Sequence, residues 1–153
     1  MAARYLIFSI LFSLVFFFNH ANSKTIYGKA KTIDGDTIHI GNNKIRLHAI
    51  DAPEIKQKCT KEYKKWNCGL ESKKFLKYLI ENNQIQCKTN GKDRYNRYIG
   101  VCYINDIDIN SEMVINGWAI AYRYYSLDYV KEEKIARSKK AGIWIGEFQE
   151  PYI

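Results

Sequence analysis

Three short clusters of charged residues stand out in this chain because their residue types could do chemistry. The clusters are Asp34-Gly35-Asp36-Thr37, Arg46 with Asp51-Ala52-Pro53-Glu54, and Asp93-Arg94-Tyr95-Asn96-Arg97. Taken alone, the first is also a common Asp-Gly turn, and the second could be a polar strand end that faces water. Together they are more specific, because neighbouring strands would bring Asp36 and Asp51 to adjacent strand ends.

The residue types in these clusters suit the hydrolysis of a phosphodiester bond. The carboxylates of Asp36 and Asp51, with carbonyl oxygens and water, form the hard-oxygen site that Ca²⁺ prefers. Arg46 and Arg97 carry planar guanidinium groups that match a phosphate as it gains charge in its transition state. Glu54 could serve as a base for an attacking water molecule. A metal, a base and two arginines in one site predict a phosphodiesterase.

The elements that must position these residues follow from the hydrophobic pattern. Three strands at residues 26–33, 37–40 and 45–50 form a predicted meander, joined by turns at Asp34-Gly35 and at residues 41–43. After the meander we predict a helix, two strands and two more helices, at residues 70–81, 84–89, 98–104, 110–116 and 128–141. Asn110 or Ser111 is the expected cap of the short helix. This order predicts an α+β fold, a five-stranded OB-type β-barrel with about three helices.

The first 23 residues have the pattern of a secretory signal peptide. Arg4 precedes an apolar run of 13 residues at 6–18, and small residues stand at the −3 and −1 positions of a cut after Ser23. An uncleaved membrane anchor is the alternative, but the run is shorter than the ~20 residues that span a bilayer comfortably. We therefore expect residues 1–23 to be removed and residues 24–153 to form one domain that is secreted or periplasmic.

By composition, the predicted exported domain is small and basic. The whole chain of 153 residues has 24 Lys and Arg against 16 Asp and Glu, a net charge of +8, and residues 24–153 keep +7. The length and the single long apolar run exclude a tandem multidomain protein and a polytopic membrane protein. A basic domain favours polyanionic partners, which include nucleic acid, anionic membrane surfaces and acidic polysaccharides, and charge alone does not separate them.

All four cysteines lie in the predicted exported domain. An even number of cysteines in such a domain indicates disulfides, with three possible pairings, and the spacings contain no C-x₂₋₄-C motif that would favour zinc. Cys59 and Cys68 bracket one short loop, and Cys87 and Cys102 lie on the two strands beside the 93–97 loop. We therefore predict the pairs Cys59–Cys68 and Cys87–Cys102.

The three charged clusters resemble the signatures of the thermonuclease family, typified by staphylococcal nuclease. The resemblance covers essentially the whole mature domain in the same order, and the cysteine-containing insertion after Glu54 is similar to that of exported members with disulfides. The matching segments are GDT within residues 33–38, RLHAIDAPE at 46–54, DRYNRYIG at 93–100, GWAIAY at 117–122 and SKKAGIW at 138–144.

This resemblance implies roles for individual residues of the site. Arg46, Glu54 and Arg97 match the family's catalytic positions. Asp36 and Asp51 match its calcium-ligating carboxylates, and Ala52 matches a position whose backbone carbonyl binds calcium. The resemblance thus assigns Ca²⁺ as the cofactor and places it between the first two clusters.

Several aromatic and basic residues are expected to contact the substrate. Tyr95, Tyr122 and Tyr124 could stack on bases, which is recognition that tolerates any sequence. Tyr122 and Tyr124 resemble the family's nucleotide-contacting tyrosines, and Arg94 belongs with them as a substrate-binding residue. The family often has Gly where this chain has Asn96, and Asn also tolerates left-handed backbone angles, so Asn96 is expected to make the same turn.

The resulting prediction is an exported, Ca²⁺-dependent endonuclease. The resemblance implies cleavage of DNA and RNA with little sequence preference and 3′-phosphate products. We expect a monomer without stable membrane association after signal cleavage. The alternative is a non-catalytic nucleic-acid-binding module on the same OB-type barrel, since a fold does not fix a function. Such a module would be expected to lack the arginines or the glutamate that this chain retains.

Overall fold

A computed structural model describes residues 23–150 and confirms the predicted fold, a closed five-stranded mixed β-barrel with three helices. The strands are β1 (Ser23–Thr32), β2 (Thr37–Ile40), β3 (Asn43–Leu47), β4 (Ile50–Asp51), β5 (Cys59–Lys61), β6 (Lys64–Trp66), β7 (Gln84–Lys92), β8 (Tyr98–Ile104), β9 (Ile107–Asp108) and β10 (Ile120–Ala121). The helices are α1 (Cys68–Ile80), α2 (Ile109–Ile115) and α3 (Val130–Ser138), followed by a 3₁₀ helix (Gly142–Ile145). The apolar run of the predicted signal peptide lies outside the described residues, so that expectation stays a prediction.

The barrel consists of the strands β3-β2-β1-β7-β8 in that order, each antiparallel to its neighbour. A parallel pairing of β3 with β8, in which Arg46 lies opposite Ile99, closes the barrel. Asn110 supports this closure from inside, because its buried side-chain amide donates to the carbonyls of His48 and Gly100 at 3.0 and 3.2 Å. Its own carbonyl accepts the Cys102 N–H at 3.2 Å.

The helix α1 forms as its apolar spacing predicts. Leu76 and Ile80 are buried on the face that contacts the barrel, and Phe75 and Leu79 pack beside them. Residues four apart lie one turn apart on the same face of a helix, so this stripe meets the apolar interior of the barrel. None of the helices between residues 23 and 150 is long and apolar enough to cross a membrane.

Three details of the predicted elements are wrong, and the first is that the last helix spans Val130–Ser138 rather than residues 128–141. The third strand ends at Leu47 rather than at residue 50, because the chain turns at Ala49 (φ 57°) and β4 pairs with β10 instead. The cap of α2 is Asp108 rather than Asn110 or Ser111, since the Asp108 carboxylate accepts the Ser111 N–H at 3.0 Å. Asn110 is occupied by the barrel closure, which the local sequence pattern does not indicate.

The two predicted disulfides are both present. Cys87 and Cys102 are directly opposed residues of β7 and β8, with their Cα atoms 4.0 Å apart inside the barrel. Cys59 and Cys68 join the β5–β6 hairpin to the first residue of α1, with a Cα separation of 5.6 Å. The second disulfide therefore fixes the start of α1 to the segment that follows the site residues.

Loss of the Cys87–Cys102 disulfide is expected to lower the free energy of unfolding by about 3 kcal/mol, because the bond closes a loop of roughly 15 residues in the unfolded chain. For a domain of this size, that loss corresponds to a fall in melting temperature of about 10 °C. Thermal melting of a Cys87→Ala/Cys102→Ala variant tests it. Cys59→Ala/Cys68→Ala opens a shorter loop and is expected to lose slightly less, and an unchanged melting temperature in both would contradict the expectation.

Candidate active site

The structure brings Asp36, Arg46 and Asp51 together at the end of the barrel where β2, β3 and β4 meet. One terminal nitrogen of Arg46 lies 3.1 Å from Asp36 Oδ2, and the other donates to Asp51 Oδ1 at 2.7 Å. Both carboxylates are buried, whereas Arg46 is only partly so. One guanidinium group therefore forms ion pairs with two buried carboxylates.

Backbone and side-chain donors hold Asp36 in place. The Ala52 N–H donates to its Oδ2 at 2.9 Å, and the Thr37 hydroxyl donates to its Oδ1 at 3.1 Å. Its own N–H donates to Asp34 Oδ1 at 3.1 Å, so Asp34 shapes the turn rather than joining the pair. These contacts place Ala52 directly beside the two carboxylates.

The carboxylate pair has an excess of negative charge. Burial raises the pKa of Asp36 to about 7 and the pKa of Asp51 to about 6, although the Arg46 guanidinium acts in the opposite direction on both. Asp51 Oδ2 is buried and accepts no hydrogen bond from residues 23–150. An unpaired carboxylate oxygen in such a place is costly unless a cation or a donor reaches it.

These features fit a hard divalent cation. Carboxylate oxygens, a backbone carbonyl and water are the ligands that Ca²⁺ takes in a loose shell of six to eight oxygens. The described part of the chain contains no group of three or more His, Cys, Asp or Glu side chains arranged for a metal. A cation at this position would therefore rely on Asp36 and Asp51 alone for charged ligands, with the remaining oxygens from the backbone and from water.

Arg97 approaches the cluster of Asp36, Arg46 and Asp51, which we call the centre, from the β7–β8 loop. Asp93 holds it through the Arg97 N–H at 2.9 Å and through Nε at 2.7 Å. A terminal nitrogen of Arg97 then donates to the Thr37 hydroxyl at 3.4 Å, so one hydroxyl separates it from Asp36. Asn96 has a φ of 62°, which confirms that it makes the expected left-handed turn.

Glu54 lies at the exposed edge of the centre. Its negative charge contributes to the raised pKa of Asp51, after burial, so the two carboxylates are near each other. A tight turn fixes its backbone, because the Gln57 N–H donates to the Glu54 carbonyl at 2.7 Å and the Glu54 N–H donates to Gln57 Oε1 at 3.2 Å. No donor within residues 23–150 contacts the Glu54 carboxylate, which is exposed to solvent.

A cluster of three tyrosine rings borders the centre. The Tyr122 ring centroid is 6.1 Å from that of Tyr124 and 5.1 Å from that of Tyr125. Burial and the nearby charge of Asp51 raise the pKa of Tyr122, which places its hydroxyl near the carboxylates. Sequence reasoning missed Tyr125, whose only signal was its position beside Tyr124 in a polar loop.

The loop that carries these tyrosines is fixed by a buried carboxylate. Glu133 of α3 is fully buried and forms ion pairs with Arg123 at 2.6 Å and with Arg137 at 2.7 Å. Arg123 lies between Tyr122 and Tyr124 in the sequence. Sequence reasoning missed this network, because a glutamate in a polar helix is normally solvated.

Arg94 and Tyr95 lie farther out, at the tip of the β7–β8 loop. Both are exposed, and the Arg94 guanidinium stacks on the Tyr95 ring at 4.8 Å. Arg97 lies 5.4 Å from the same ring, so Tyr95 borders the centre only through Arg97. The four cysteines form the two disulfides and lie outside the cluster.

Comparisons with known proteins agree on one family. The family profile described as "Staphylococcal nuclease homologue" matches residues 44–146. "Succinoglycan biosynthesis protein ExoI" of Rhizobium meliloti is 33% identical over 140 residues, which cover 89% of this chain and 73% of that protein. "Micrococcal nuclease" of Shigella flexneri is 32% identical over 140 residues, covering 80% and 75%. A Haemophilus influenzae protein named "Uncharacterized endonuclease" is 39% identical over 121 residues, covering 74% and 63%.

Replacement of Asp51 by Asn is expected to raise the melting temperature of the metal-free protein at pH 7 by a few degrees. The raised pKa values mean that the folded protein binds protons more tightly than the unfolded chain. The carboxylates thus contribute stability below about pH 4, and this contribution is lost as the pH rises through 6–7. The difference in melting temperature between the variant and the wild type should therefore shrink toward pH 4.

Thermal melts in chelator between pH 4 and 8 measure this difference. Asp106→Asn, a change of the same kind in an exposed turn, is the matched control and should follow the wild type. A variant that melts below the wild type at every pH would contradict the expected charge excess.

Proposed function

The chain belongs to the staphylococcal nuclease family and is a nuclease, and we propose that it is an exported, Ca²⁺-dependent endonuclease. It would hydrolyse phosphodiester bonds of both DNA and RNA with little sequence specificity and leave 3′-phosphate ends. The observation that carries this proposal is the cluster of Asp36, Asp51 and Arg46, connected to Arg97 through the Thr37 hydroxyl.

In this proposal Asp36, Asp51 and the backbone carbonyl of Ala52 hold Ca²⁺. When bound, the ion supplies positive charge at the scissile phosphate. The buried, unpartnered Oδ2 of Asp51 and the hard-oxygen character of the donors support this assignment. Ca²⁺ suits the site better than Mg²⁺, because two carboxylates do not impose a rigid octahedron.

The two arginines act on the phosphate. As phosphorus passes through five-coordination, negative charge gathers on its equatorial oxygens, and guanidinium groups held beside them stabilise that charge more than the charge of the ground state. Asp93 fixes the direction of Arg97 through two hydrogen bonds, which preorganises it. Arg46 is fixed by both carboxylates.

Glu54 would orient or deprotonate the attacking water opposite the leaving 5′-oxygen. Its carboxylate is exposed and open, while its backbone is fixed by the Gln57 turn. A base needs access to water, which the open carboxylate has, and the Gln57 turn fixes the backbone from which this side chain extends.

The outer residues would hold the nucleotides on either side of the scissile bond. Tyr122 and Tyr124 offer ring faces beside the centre, and Tyr124 is 83% exposed. Tyr95 and Arg94 offer a second platform at the tip of the β7–β8 loop. Stacking on such rings accepts every base, which supports cleavage with little sequence preference.

The remaining parts of the proposal concern the cell and the assembly. Two disulfides support an oxidising location, secreted or periplasmic. We propose that the domain acts as a monomer and, after removal of residues 1–23, does not associate stably with membranes.

Arg46→Ala, Glu54→Gln and Arg97→Ala should each reduce turnover by about 10²–10³, the typical loss for one preorganised group. Affinity for nucleic acid should fall much less, because many other Lys and Arg residues share the phosphate contacts. Turnover on plasmid DNA and on RNA, with binding measured separately, tests this. Lys139→Ala, at an exposed position after α3, is the control and should match the wild type. If all three variants stay within about threefold of wild type, the cluster is not the active site.

Removal of Ca²⁺ should abolish cleavage, and addition of Ca²⁺ should raise the melting temperature of the wild type. Preferential binding to the folded state stabilises it by mass action, so the melting shift should grow with the Ca²⁺ concentration. Asp36→Ala and Asp51→Ala should lose both effects. Plasmid nicking in chelator and in Ca²⁺, together with melting curves, provides the measurement. Full activity in chelator would defeat the metal assignment.

A further inference from the structure

A basic groove runs between β1 and α1 and begins beside residues 33–36, the segment that leads to Asp36, which we call the catalytic loop. It encloses about 400 Å³, and four lysines line it together with one acidic residue, Glu81, leaving three positive charges in excess. We call this feature the lysine groove and define it by Lys29, Lys31, Lys73 and Lys77. None of these lysines has a role in the catalytic centre described above.

One end of the lysine groove adjoins the catalytic loop. Thr32 lies in the groove wall and is the last residue of β1, four positions before Asp36. The Thr32 side chain is only 9% exposed, and its hydroxyl has no hydrogen-bond partner within residues 23–150. Along β1 the side chain of Thr32 alternates with those of Lys29 and Lys31, so the exposed lysines, and not this buried hydroxyl, present their polar groups to the groove.

The other end of the groove opens into an aromatic site. A second cavity, of about 420 Å³, shares Asn82 and Asn83 with the first. Tyr27, Gln86 and Tyr103 line it and form one row across β1, β7 and β8. We call this row the tyrosine slot.

The side chains of the slot point outward from the barrel. Their neighbours in the strands, such as Ile26, Cys87 and Cys102, are buried inside, and side chains alternate along a strand. Tyr27 is 66% exposed, and the rows of β1 and β8 stand about 10 Å apart, two strand spacings. Gln86 lies between the two tyrosines in this row, and the Lys88 ammonium lies 5.2 Å from the centroid of the Tyr103 ring.

We infer that the lysine groove and the tyrosine slot together bind a single strand of nucleic acid beyond the bond that is cleaved. The inference rests on the proposed function for the identity of the polyanion. A cationic track that leads to aromatic platforms is the combination with which proteins hold single strands. A duplex would not enter the slot, because its bases are stacked within the helix.

The length of the groove sets a minimum length for such a substrate. Five residue steps of β1 separate Thr32 from Tyr27, a distance of about 17 Å. At about 3.4 Å per stacked nucleotide this distance corresponds to about five nucleotides past the catalytic loop, and an extended strand needs fewer to reach the slot. The site would therefore favour long single strands over short oligonucleotides.

The lysine groove is tested by the salt dependence of binding. The probe is a fluorescein-labelled oligothymidylate of 12 nucleotides, bound to a Glu54→Gln background in chelator and followed by anisotropy. Lys29→Ala/Lys31→Ala should weaken binding and reduce the slope of log K against log salt by about 1.4, because each lost single-strand contact removes about 0.7. Lys131→Ala/Lys134→Ala, the same charge change at exposed positions of α3, should leave the slope unchanged.

The tyrosine slot is tested by Tyr27→Ala, which should weaken the same binding at least fivefold, the lower end of one base–aromatic stack. Tyr78→Ala removes a 75% exposed tyrosine of α1 that lines neither cavity, and it should bind as the background does. Melting curves of all variants establish that they fold.

If the affinity for oligothymidylate stays within twofold of the background protein in both test variants, the inference is overturned. This holds also if the substitutions weaken only the binding of an acidic polysaccharide. This measurement does not need cleavage. A protein that binds with these dependences but cuts neither DNA nor RNA would overturn the proposed function alone. If the protein cleaves nucleic acid but these substitutions leave its binding unchanged, only the inference is overturned.

Discussion

The sharing of one guanidinium by two buried carboxylates is the constraint on which the centre depends. Asp36 precedes β2, Arg46 lies in β3 and Asp51 ends β4, so three strands must keep their relative positions for both contacts of Arg46 to form. Removing Arg46 would leave both buried carboxylates uncompensated, and breaking a buried ion pair in this way typically costs about 3–5 kcal/mol. The barrel is therefore not a passive support, because its strand ends are connected through these charges.

Close packing of small residues keeps the constraint in place. A Cβ on Gly35 would collide with the Ser72 hydroxyl of α1 and would lie 2.6 Å from the Ala52 methyl group. Ser72 in turn donates to the Trp118 carbonyl at 2.7 Å. At the start of the same helix, a Cβ on Gly69 would collide with the Glu54 carbonyl, and the Cys59–Cys68 disulfide fixes that helix end. The helix α1 thus positions both the Asp36 turn and the Glu54 turn.

Local signals in the sequence were sufficient for most elements and for the central residues. Alternating strands, the Asp34-Gly35 turn and the four-residue spacing in α1 predicted their elements, because each depends on neighbours in the chain. The predicted meander indicated that Asp36 and Asp51 lie close together, although Asp51 reaches this position from β4 and not from the end of the third strand. The disulfide between Cys87 and Cys102 followed from their places on two strands beside one loop.

What the sequence could not predict depends on contacts between distant segments. The parallel closure of β3 needs β8, which lies some fifty residues later, and the break at Ala49 accompanies the pairing of β4 with β10, some seventy residues later. Asn110 has a good capping side chain, yet the barrel interior offers it two carbonyls, and Asp108 caps the helix in its place. Glu133 is buried only because Arg123 and Arg137 converge on it from two segments. Each failure is a case of tertiary contacts overriding local preference.

The charge arrangement of the centre also accounts for why a basic protein would still need a cation for its chemistry. The basic surface attracts a polyanion, but the scissile phosphate would meet two buried carboxylates that repel it. Both terminal nitrogens of Arg46 are directed at those carboxylates, so little of its charge remains for a phosphate. Arg97 is held mainly by Asp93 and touches the centre only through the Thr37 hydroxyl. A further positive charge on Asp36 and Asp51 would remove the repulsion and leave both guanidinium groups available to the substrate, which is the physical basis for assigning the metal and the arginines to one site.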